Sequence, residues 1–158
     1  MSKRETTKGR ALEGPIFELE DSKGLFSDLI ATKTGVNRKE TIESIKKNLA
    51  SWMGKEDFNR FRSKRLDLAI VARVNKQRME QQDVDNIAKV VLDALRRNDK
   101  TGLKQNVFLF YDDSQVVRLL VYKIPRKEDE TCDTDGLDIS FRVHDHKKEM
   151  KLRQVNQI

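Results

Sequence analysis

Two short acidic blocks contain the side chains best suited to chemistry in this sequence. The first is Asp83-Val84-Asp85-Asn86 and the second is Asp112-Asp113. Carboxylates held close together repel one another unless a cation lies between them, and their hard oxygen atoms suit Mg²⁺ or Mn²⁺. The two blocks therefore predict a divalent-metal site, provided that the fold brings them together.

The first block begins a predicted amphipathic helix. The polar residues Asp85, Asn86 and Lys89 fall on one face of it, and either Asp83 or Asp85 suits the N-cap, where a carboxylate accepts free backbone N–H groups. The apolar residues recur at the spacing of the opposite face, which we expect to pack on a core: Ile87, Val90, Val91, Ala94 and Leu95. The charged side of this helix therefore begins with two aspartates.

The second block lies between two apolar runs that predict strands, Val107–Tyr111 and Val116–Ile124. A short acidic connection between strands would hold both carboxylates at one end of a sheet. A further strand is predicted at Leu66–Val74, where apolar residues alternate along one face before the chain leads into the acidic helix. If that helix begins at the same end of the sheet, three or four aspartates converge on one cation.

The two blocks and their flanks occur in an order that resembles a known family. Asp83–Leu95 has the pattern Asp-x-Asp-Asn-x-x-Lys-x-x-x-Asp-Ala-Leu, and Asp112–Val116 reads Asp-Asp-Ser-Gln-Val before a strand that ends in Lys123. Together they resemble the RusA family of Holliday-junction resolvases over roughly Leu66–Lys123. One block alone would be weak evidence, whereas both blocks with apolar flanks of the right kind are fairly specific.

This resemblance implies an α+β fold, a small mixed β-sheet with helices packed on it, in a homodimer that cuts four-way DNA junctions with Mg²⁺. It implies that Asp83, Asp85 and Asp113 are catalytic metal ligands, that Lys89 is the catalytic lysine, and that Asp112 is a further ligand or a residue that supports one. Family members usually join the helix to the acidic pair by a short glycine-containing turn. This chain has the longer segment 96–106, which bears on how DNA approaches that edge.

Length and charge predict one domain with a polyanionic partner. The chain has 158 residues, 37% of them charged, and a formal net charge of +6. We expect a flexible basic tail at residues 1–14, one nuclease domain at 15–143 and a charged tail at 144–158, which would be a frayed helix, a dimer arm or disordered. Basic surface attracts a phosphate backbone, so branched DNA is the expected partner.

The sequence also predicts an intracellular setting. No apolar run approaches the length of a membrane span, and residues 1–5 lack the apolar segment of a signal peptide. The single cysteine, Cys132, excludes an internal disulfide. We therefore expect a cytoplasmic protein with no membrane partner.

The first half of the chain supplies a candidate DNA-binding patch. Asn37 and Glu40 form a predicted capping box for a helix near residues 38–53, on which Lys46 and Lys47 are expected to face solvent. Phe58 is expected to pack in the core together with Phe61. The basic residues beside these aromatic residues would face DNA if exposed: Arg60, Arg62, Lys64 and Arg65.

The remaining segments carry less information. Residues 15–19 predict a first strand, residues 25–35 a loop or short helix, and Leu137–Val143 a final edge strand. His144 and His146 have the spacing of a metal-binding pair, but two histidines at the start of a charged tail are more often exposed side chains.

Three functions of the acidic blocks stay open at this stage, beside a purely structural explanation of each residue. Taken singly, each aspartate has a structural explanation as a helix cap, a turn residue or a partner of Lys89. Taken together, adjacent like charges give no evident stability, which favours metal-assisted phosphodiester hydrolysis. The alternatives are a non-catalytic DNA-binding relative with the same fold and a nuclease that acts on other branched nucleic acids.

Overall fold

A four-stranded mixed sheet forms the centre of the described structure, with its strands in the order Lys23–Leu29, Asp135–Val143, Leu66–Val74 and Val116–Pro125. The computed structural model describes residues 16–30, 37–97, 107–126 and 135–155. The predicted basic tail and the 98–106 part of the long connection lie outside these ranges. The elements are β1 (Phe17–Leu19), β2 (Lys23–Leu29), α1 (Arg38–Trp52), α2 (Lys55–Arg62), β3 (Leu66–Val74), α3 (Lys76–Gln81), α4 (Val84–Leu95), β4 (Val116–Pro125), β5 (Asp135–Val143) and β6 (Leu152–Gln154).

The pairing of β3 with β4 is parallel, while β5 runs antiparallel to both β2 and β3. Parallel neighbours require a crossover connection, because the chain must return to the end at which the first strand began. The crossover here passes through α3 and α4. Because α4 makes the return journey, its N-terminus lies near the end of β3 and its C-terminus near the start of β4.

The helices cover one face of this sheet and form the core with it. The apolar stripe predicted for α4 is confirmed, since Ile87, Val91 and Leu95 are all fully buried. The capped helix is also confirmed, because the Asn37 side chain accepts a hydrogen bond from the Glu40 backbone N–H at 3.2 Å. Core packing of the two aromatic residues of α2 is confirmed as well. The apolar residues of the central strands complete this layer: Leu66, Leu68, Ile70, Leu137, Ile139 and Phe141.

The other face of the sheet holds buried ion pairs. Alternation in β3 predicted one covered face, but all nine of its residues are buried, because β1 and β6 pair with each other across the second face. Asp67 is fully buried there. It accepts hydrogen bonds from Arg118 at 2.6 and 2.8 Å and from Arg142 at 3.0 Å, and it lies 2.8 Å from His144 Nδ1. This contact with Asp67 gives His144 a structural role, and not the metal-binding role that its spacing from His146 suggested.

The predicted strand at Val107–Tyr111 is wrong. The segment Val107–Phe110 is buried, but it forms only one isolated bridge, between Arg96 and Phe110. Its backbone binds the end of α4 instead, since Leu109 N–H donates to Leu95 O at 2.7 Å. Apolar composition therefore predicted the burial of this segment and not its pairing.

Other differences come from contacts between distant parts of the chain. The predicted loop or short helix at 25–35 contains most of strand β2, and β5 is a central strand and not an edge strand. The predicted charged tail at 144–158 contains β6, which pairs with β1, so its described part, residues 144–155, is neither a frayed helix nor disordered. Lys46 is buried and donates to Val107 O at 3.1 Å, so it does not face solvent. Burial lowers the pKa of that amine.

No helix in the described ranges has the length and apolar character needed to cross a membrane.

Replacement of Asp67 tests the buried ion cluster. Burial by itself raises the pKa of Asp67, but hydrogen bonds from Arg118, His144 and Arg142 outweigh it, so the pKa lies below its ordinary value. We expect Asp67→Asn to lower the free energy of unfolding at pH 7 by about 3–5 kcal/mol, because it leaves the buried guanidinium group of Arg142 and the partly buried one of Arg118 uncompensated. Denaturant unfolding measures this loss.

The pH dependence of that loss has a defined sign. A carboxylate whose folded-state pKa is depressed contributes stability above its unfolded pKa, and this stability disappears as the pH falls through the folded value. The difference between wild type and Asp67→Asn should therefore shrink below about pH 4. The matched control is Asp21→Asn, at an exposed ion pair with Lys148, and should cost under about 1 kcal/mol. Equal stability of Asp67→Asn and wild type at pH 7 would contradict this role.

Candidate active site

The N-terminus of α4 presents two aspartates and a lysine on one exposed surface, here called the α4 cluster (Asp83, Asp85 and Lys89). Asp83 is the N-cap residue, yet its side chain makes no capping hydrogen bond. Asp85 lies in the first turn, and Lys89 follows one turn later on the same face. The explanation of Asp83 as a helix cap is therefore not supported by the hydrogen bonds of its side chain.

Lys89 is exposed and forms no salt bridge with a carboxylate of the described segments. Asp93, one helical turn after Lys89, pairs with Arg38 and with Arg96, the latter at 3.0 Å. The ammonium group of Lys89 is thus available to an anion that approaches the α4 cluster.

The α4 cluster is held at the C-terminal end of β4. Lys123 Nζ donates to Met79 O at 2.7 Å and to Gln82 O at 2.5 Å, which ties the junction of α3 and α4 to that strand. Gln82 itself is buried, and its Oε1 atom has no hydrogen-bond partner among the described residues. Sequence reasoning did not select Gln82, whose only signal was its position directly before Asp83.

The second acidic block forms a short 3₁₀ turn, Asp113–Gln115, with Asp112 as its cap. Asp112 accepts hydrogen bonds from the hydroxyl and the backbone N–H of Ser114, and these bonds lower the pKa of its carboxyl group. These contacts support a structural role for Asp112. Asp113 differs, because its Oδ2 atom binds Arg96 at 3.1 Å while its buried Oδ1 atom has no partner among the described residues.

Gln115 fixes this turn to the end of α2, a role that sequence reasoning missed. Its amide group donates to Arg62 O at 2.7 Å and to Lys64 O at 2.9 Å, and its side-chain oxygen accepts the backbone N–H groups of Tyr111 and Asp112. The Asp112–Asp113 pair therefore lies beside Arg62 and Lys64, two of the four predicted DNA-binding residues.

Those four basic residues divide into two kinds. Arg60, Lys64 and Arg65 are exposed and are here called the basic patch. Arg62 is half-buried, with its guanidinium group 3.8 Å from the centre of the Phe108 ring, and it donates to Phe108 O at 3.3 Å. Arg62 thus anchors the Val107–Phe110 segment, whereas the basic patch is open to solvent.

The two acidic blocks lie at opposite ends of the molecule. Asp113 contacts Arg96, the C-cap of α4, whereas Asp83 is the N-cap of the same helix. Twelve helical residues separate these ends by roughly 18 Å. The sheet agrees, because the start of β4 pairs with Leu66 and its Lys123 pairs with Ala72, near the other end of β3.

The expected convergence of three or four aspartates within one chain is therefore wrong. No group of three or more acidic, histidine or cysteine side chains in the described ranges is arranged to hold a metal ion. The physical reason is the parallel pairing of β3 with β4, which makes α4 run from one end of the sheet to the other. The chemistry of the donors still fits a hard divalent cation, since exposed carboxylates and the unpartnered Asp113 Oδ1 atom are all oxygen ligands.

Comparison with known proteins agrees with the motifs. A family model described as endodeoxyribonuclease RusA matches residues 31–132, well over half of the chain. No curated protein matches the sequence. The matched range contains both acidic blocks, the basic patch and the crossover that joins β3 to β4, and the observed mixed sheet with helices confirms the predicted fold class. The chain therefore belongs to the RusA endodeoxyribonuclease family.

Proposed function

We propose that this protein is a Mg²⁺-dependent, structure-selective endodeoxyribonuclease that cleaves Holliday junctions during DNA recombination and repair. It would act as a homodimer on DNA in the cytoplasm. The observation that carries the proposal is the α4 cluster of a nuclease-family member, in which Asp83 and Asp85 are exposed beside Lys89. Within the described ranges no carboxylate pairs with this lysine. Mn²⁺ is expected to substitute for Mg²⁺, because both accept hard oxygen ligands.

The proposed reaction is hydrolysis of a phosphodiester bond. A bound divalent cation supplies polarisation of a phosphate oxygen and a lowered pKa for a bound water molecule. Asp83 and Asp85 would hold that cation. Asp113 of the same chain lies at the other end of α4, so Asp113 as a third ligand would come from the second copy in the proposed homodimer. Lys89 would offset the negative charge that develops on the phosphate, or position the attacking water, because its ammonium group has no competing carboxylate partner in the described segments.

The basic patch provides the means of binding a phosphate backbone. Arg60, Lys64 and Arg65 are exposed, Gln115 binds the backbone oxygen of Lys64 to the Asp112–Asp113 turn, and the whole chain carries a net charge of +6. Carboxylates alone would repel DNA, so basic groups beside them allow the polyanion to approach. A two-fold symmetric dimer would present two equivalent sites to the two opposed strands of a junction.

One observation favours a competing function. The separation of Asp113 from the α4 cluster leaves each end of a single chain with an incomplete set of carboxylates, as expected for a DNA-binding relative without catalysis. That reading predicts salt-dependent binding without Mg²⁺-dependent nicking. Parallel assays on a four-way junction, a flap and a linear duplex also separate junction cleavage from action on other branched substrates.

Replacement of Asp85 tests the proposed catalytic role. We expect Asp85→Asn to lower Mg²⁺-dependent cleavage of a four-way junction by roughly 100-fold or more, because it removes ligand charge. Junction binding in a gel-shift assay should persist, since the basic surface is intact. Glu43→Gln, at an exposed position of α1, is the matched control and should cleave at the wild-type rate. Full activity of Asp85→Asn would rule out the role assigned to this carboxylate.

Neutralising the basic patch tests the DNA interface. The triple variant Arg60→Gln, Lys64→Gln and Arg65→Gln should weaken junction binding and reduce the slope of log affinity against log salt by about 2–3, one unit for each lost phosphate contact. Fluorescence anisotropy over a salt series measures both quantities. An equally charged control replaces Lys39, Lys47 and Lys76 by Gln at exposed sites away from the patch. Equal slopes for the two triple variants would place the DNA elsewhere.

A further inference from the structure

We infer that two adjoining cavities beside the basic patch bind one unpaired nucleotide of a DNA strand, with its phosphate among basic side chains and its base against Trp52. The inference rests on the proposed function, because it takes DNA as the ligand. It adds the feature of the DNA that is recognised, and it assigns that recognition to a surface separate from the α4 cluster.

The first observation is a cavity of about 430 Å³, here called the cationic cavity. It includes Val143, which pairs with Leu66, so it lies at the end of the sheet where β3 begins, opposite to the α4 cluster. Its volume falls in the range of roughly 300–1,000 Å³ that is typical of small-ligand sites. Because Arg60 belongs both to this cavity and to the basic patch, the two surfaces are continuous. Basic side chains outnumber acidic ones in the lining, which favours a phosphate group: Lys23, Arg60, Arg142 and Lys148 against Asp21.

The second observation is that internal contacts hold the walls of the cationic cavity in place. Arg142 is buried and donates to Glu20 O at 2.9 Å and to Glu149 O at 2.8 Å. These carbonyl groups belong to the turn after β1 and to the segment before β6, so one side chain joins both walls. The rings of Phe61 and Phe141, which also line the cavity, pack edge to face with their centres 5.1 Å apart. A site that is formed in advance binds its ligand with a smaller loss of conformational freedom.

The two lysines of the cationic cavity are paired with carboxylates that a phosphate can replace. Lys23 Nζ lies 2.6 Å from Asp57 Oδ1, and Lys148 Nζ lies 3.4 Å from Asp21 Oδ2. The lysine side chains are 43% and 48% exposed, and exposed ion pairs of this kind contribute little to stability. A DNA phosphate can therefore take the place of either carboxylate at little cost to the fold.

The third observation is a second, more apolar cavity of about 240 Å³, here called the Trp52 cavity. It shares Ser22, Lys23 and Phe141 with the cationic cavity, so the two adjoin. Its lining includes Met53, which is buried, and Trp52, which is 38% exposed at the end of α1. An exposed indole ring beside an apolar recess is a surface on which a nucleic-acid base stacks.

The two cavities together match the two ends of a nucleotide. A charged phosphate suits the cationic cavity, and a flat aromatic base suits the Trp52 cavity. A base that is stacked within a duplex does not reach a concave site, whereas an unpaired base can turn out of the strand and stack on an aromatic side chain. Branched DNA has such bases available where its arms meet. The cavities would therefore select DNA with unpaired nucleotides over a continuous duplex.

The fluorescence of Trp52 tests this site directly, because it is the only tryptophan of the chain. The wild-type protein is titrated in EDTA, which prevents cleavage, with a short single-stranded oligothymidylate, a blunt duplex of the same length and thymidine 5′-monophosphate. We expect the single strand to quench the emission at concentrations roughly 10-fold or more below those of the other two ligands. Quenching by the duplex at equal concentration, or no quenching by the single strand, would overturn the inference. Tighter quenching by the mononucleotide would assign the site to free nucleotides and overturn the assignment to a DNA strand.

Neutralising the two lysines tests the phosphate end of the site. Lys23→Gln combined with Lys148→Gln should reduce the slope of log affinity against log salt for the single strand by about 1.4, or about 0.7 for each lost phosphate contact. The equally charged control combines Lys39→Gln with Lys47→Gln, at exposed positions of α1 outside both cavities, and should keep the wild-type slope. Trp52 quenching over a salt series measures both variants. Equal slopes for the two double variants would contradict phosphate binding in the cationic cavity.

Replacement of Trp52 tests the base end of the site. Trp52→Ala should bind the labelled single strand roughly 5- to 100-fold more weakly in fluorescence anisotropy, because it removes one stacked base, whereas Trp52→Phe should keep most of the affinity. Denaturant unfolding of Trp52→Ala checks that the fold is intact. Equal affinity of Trp52→Ala and wild type would overturn the stacking role. A protein that shows the Trp52 response but never cleaves a junction would refute the proposed function alone, and a protein that cleaves junctions without any Trp52 response would refute this site alone.

Discussion

The parallel ladder between β3 and β4 is the constraint on which the rest of this structure depends. Its register, from Leu66 opposite Val116 to Val74 opposite Pro125, obliges the chain to return along the length of the sheet between the two strands. Helix α4 makes that return and buries its apolar stripe on the way. The acids before the helix and the acids after it therefore lie at opposite ends. A single chain therefore presents two separate sets of carboxylates and not one.

Both ends are held rigidly, although they are far apart. At one end Lys123 binds the backbone of the α3–α4 junction, and at the other Gln115 binds the end of α2. Beneath the sheet, Asp67 joins Arg118 of β4 to Arg142 of β5, so the exposed edge strand is attached by charge as well as by backbone hydrogen bonds. The proposed metal site needs such fixed ends, because its ligands have to meet without local rearrangement.

Local patterns were sufficient to predict the elements that carry the site. The buried stripe of α4 and the cap at Asn37 follow from residues close together in the sequence, and the structure contains both. The prediction of a strand at 107–111 was wrong, because apolar residues indicate that a segment is buried but not which backbone it pairs with. The prediction that Lys46 faces solvent was wrong for a similar reason. Its amine is buried and donates to Val107 O, a contact between residues distant in the chain.

The arrangement of the acids was beyond the reach of motif reasoning. Spacing and residue type identified Asp83, Asp85 and Asp113 as candidates, and the family match agrees with the motifs that contain them. Their mutual distance depends on strand direction, which the sequence pattern of β4 does not encode. The structure also reveals that Asp112 supports its own turn, whereas Asp113 retains an unpartnered oxygen atom within the described ranges.

A crystal structure of the protein grown with Mn²⁺ would test the central claim most directly, because anomalous scattering locates the ion without reference to activity. The account predicts an Mn²⁺ ion bound by Asp83 and Asp85 of one chain and by Asp113 of a second chain. An ion bound at the α4 cluster with both copies of Asp113 far from it would contradict the account.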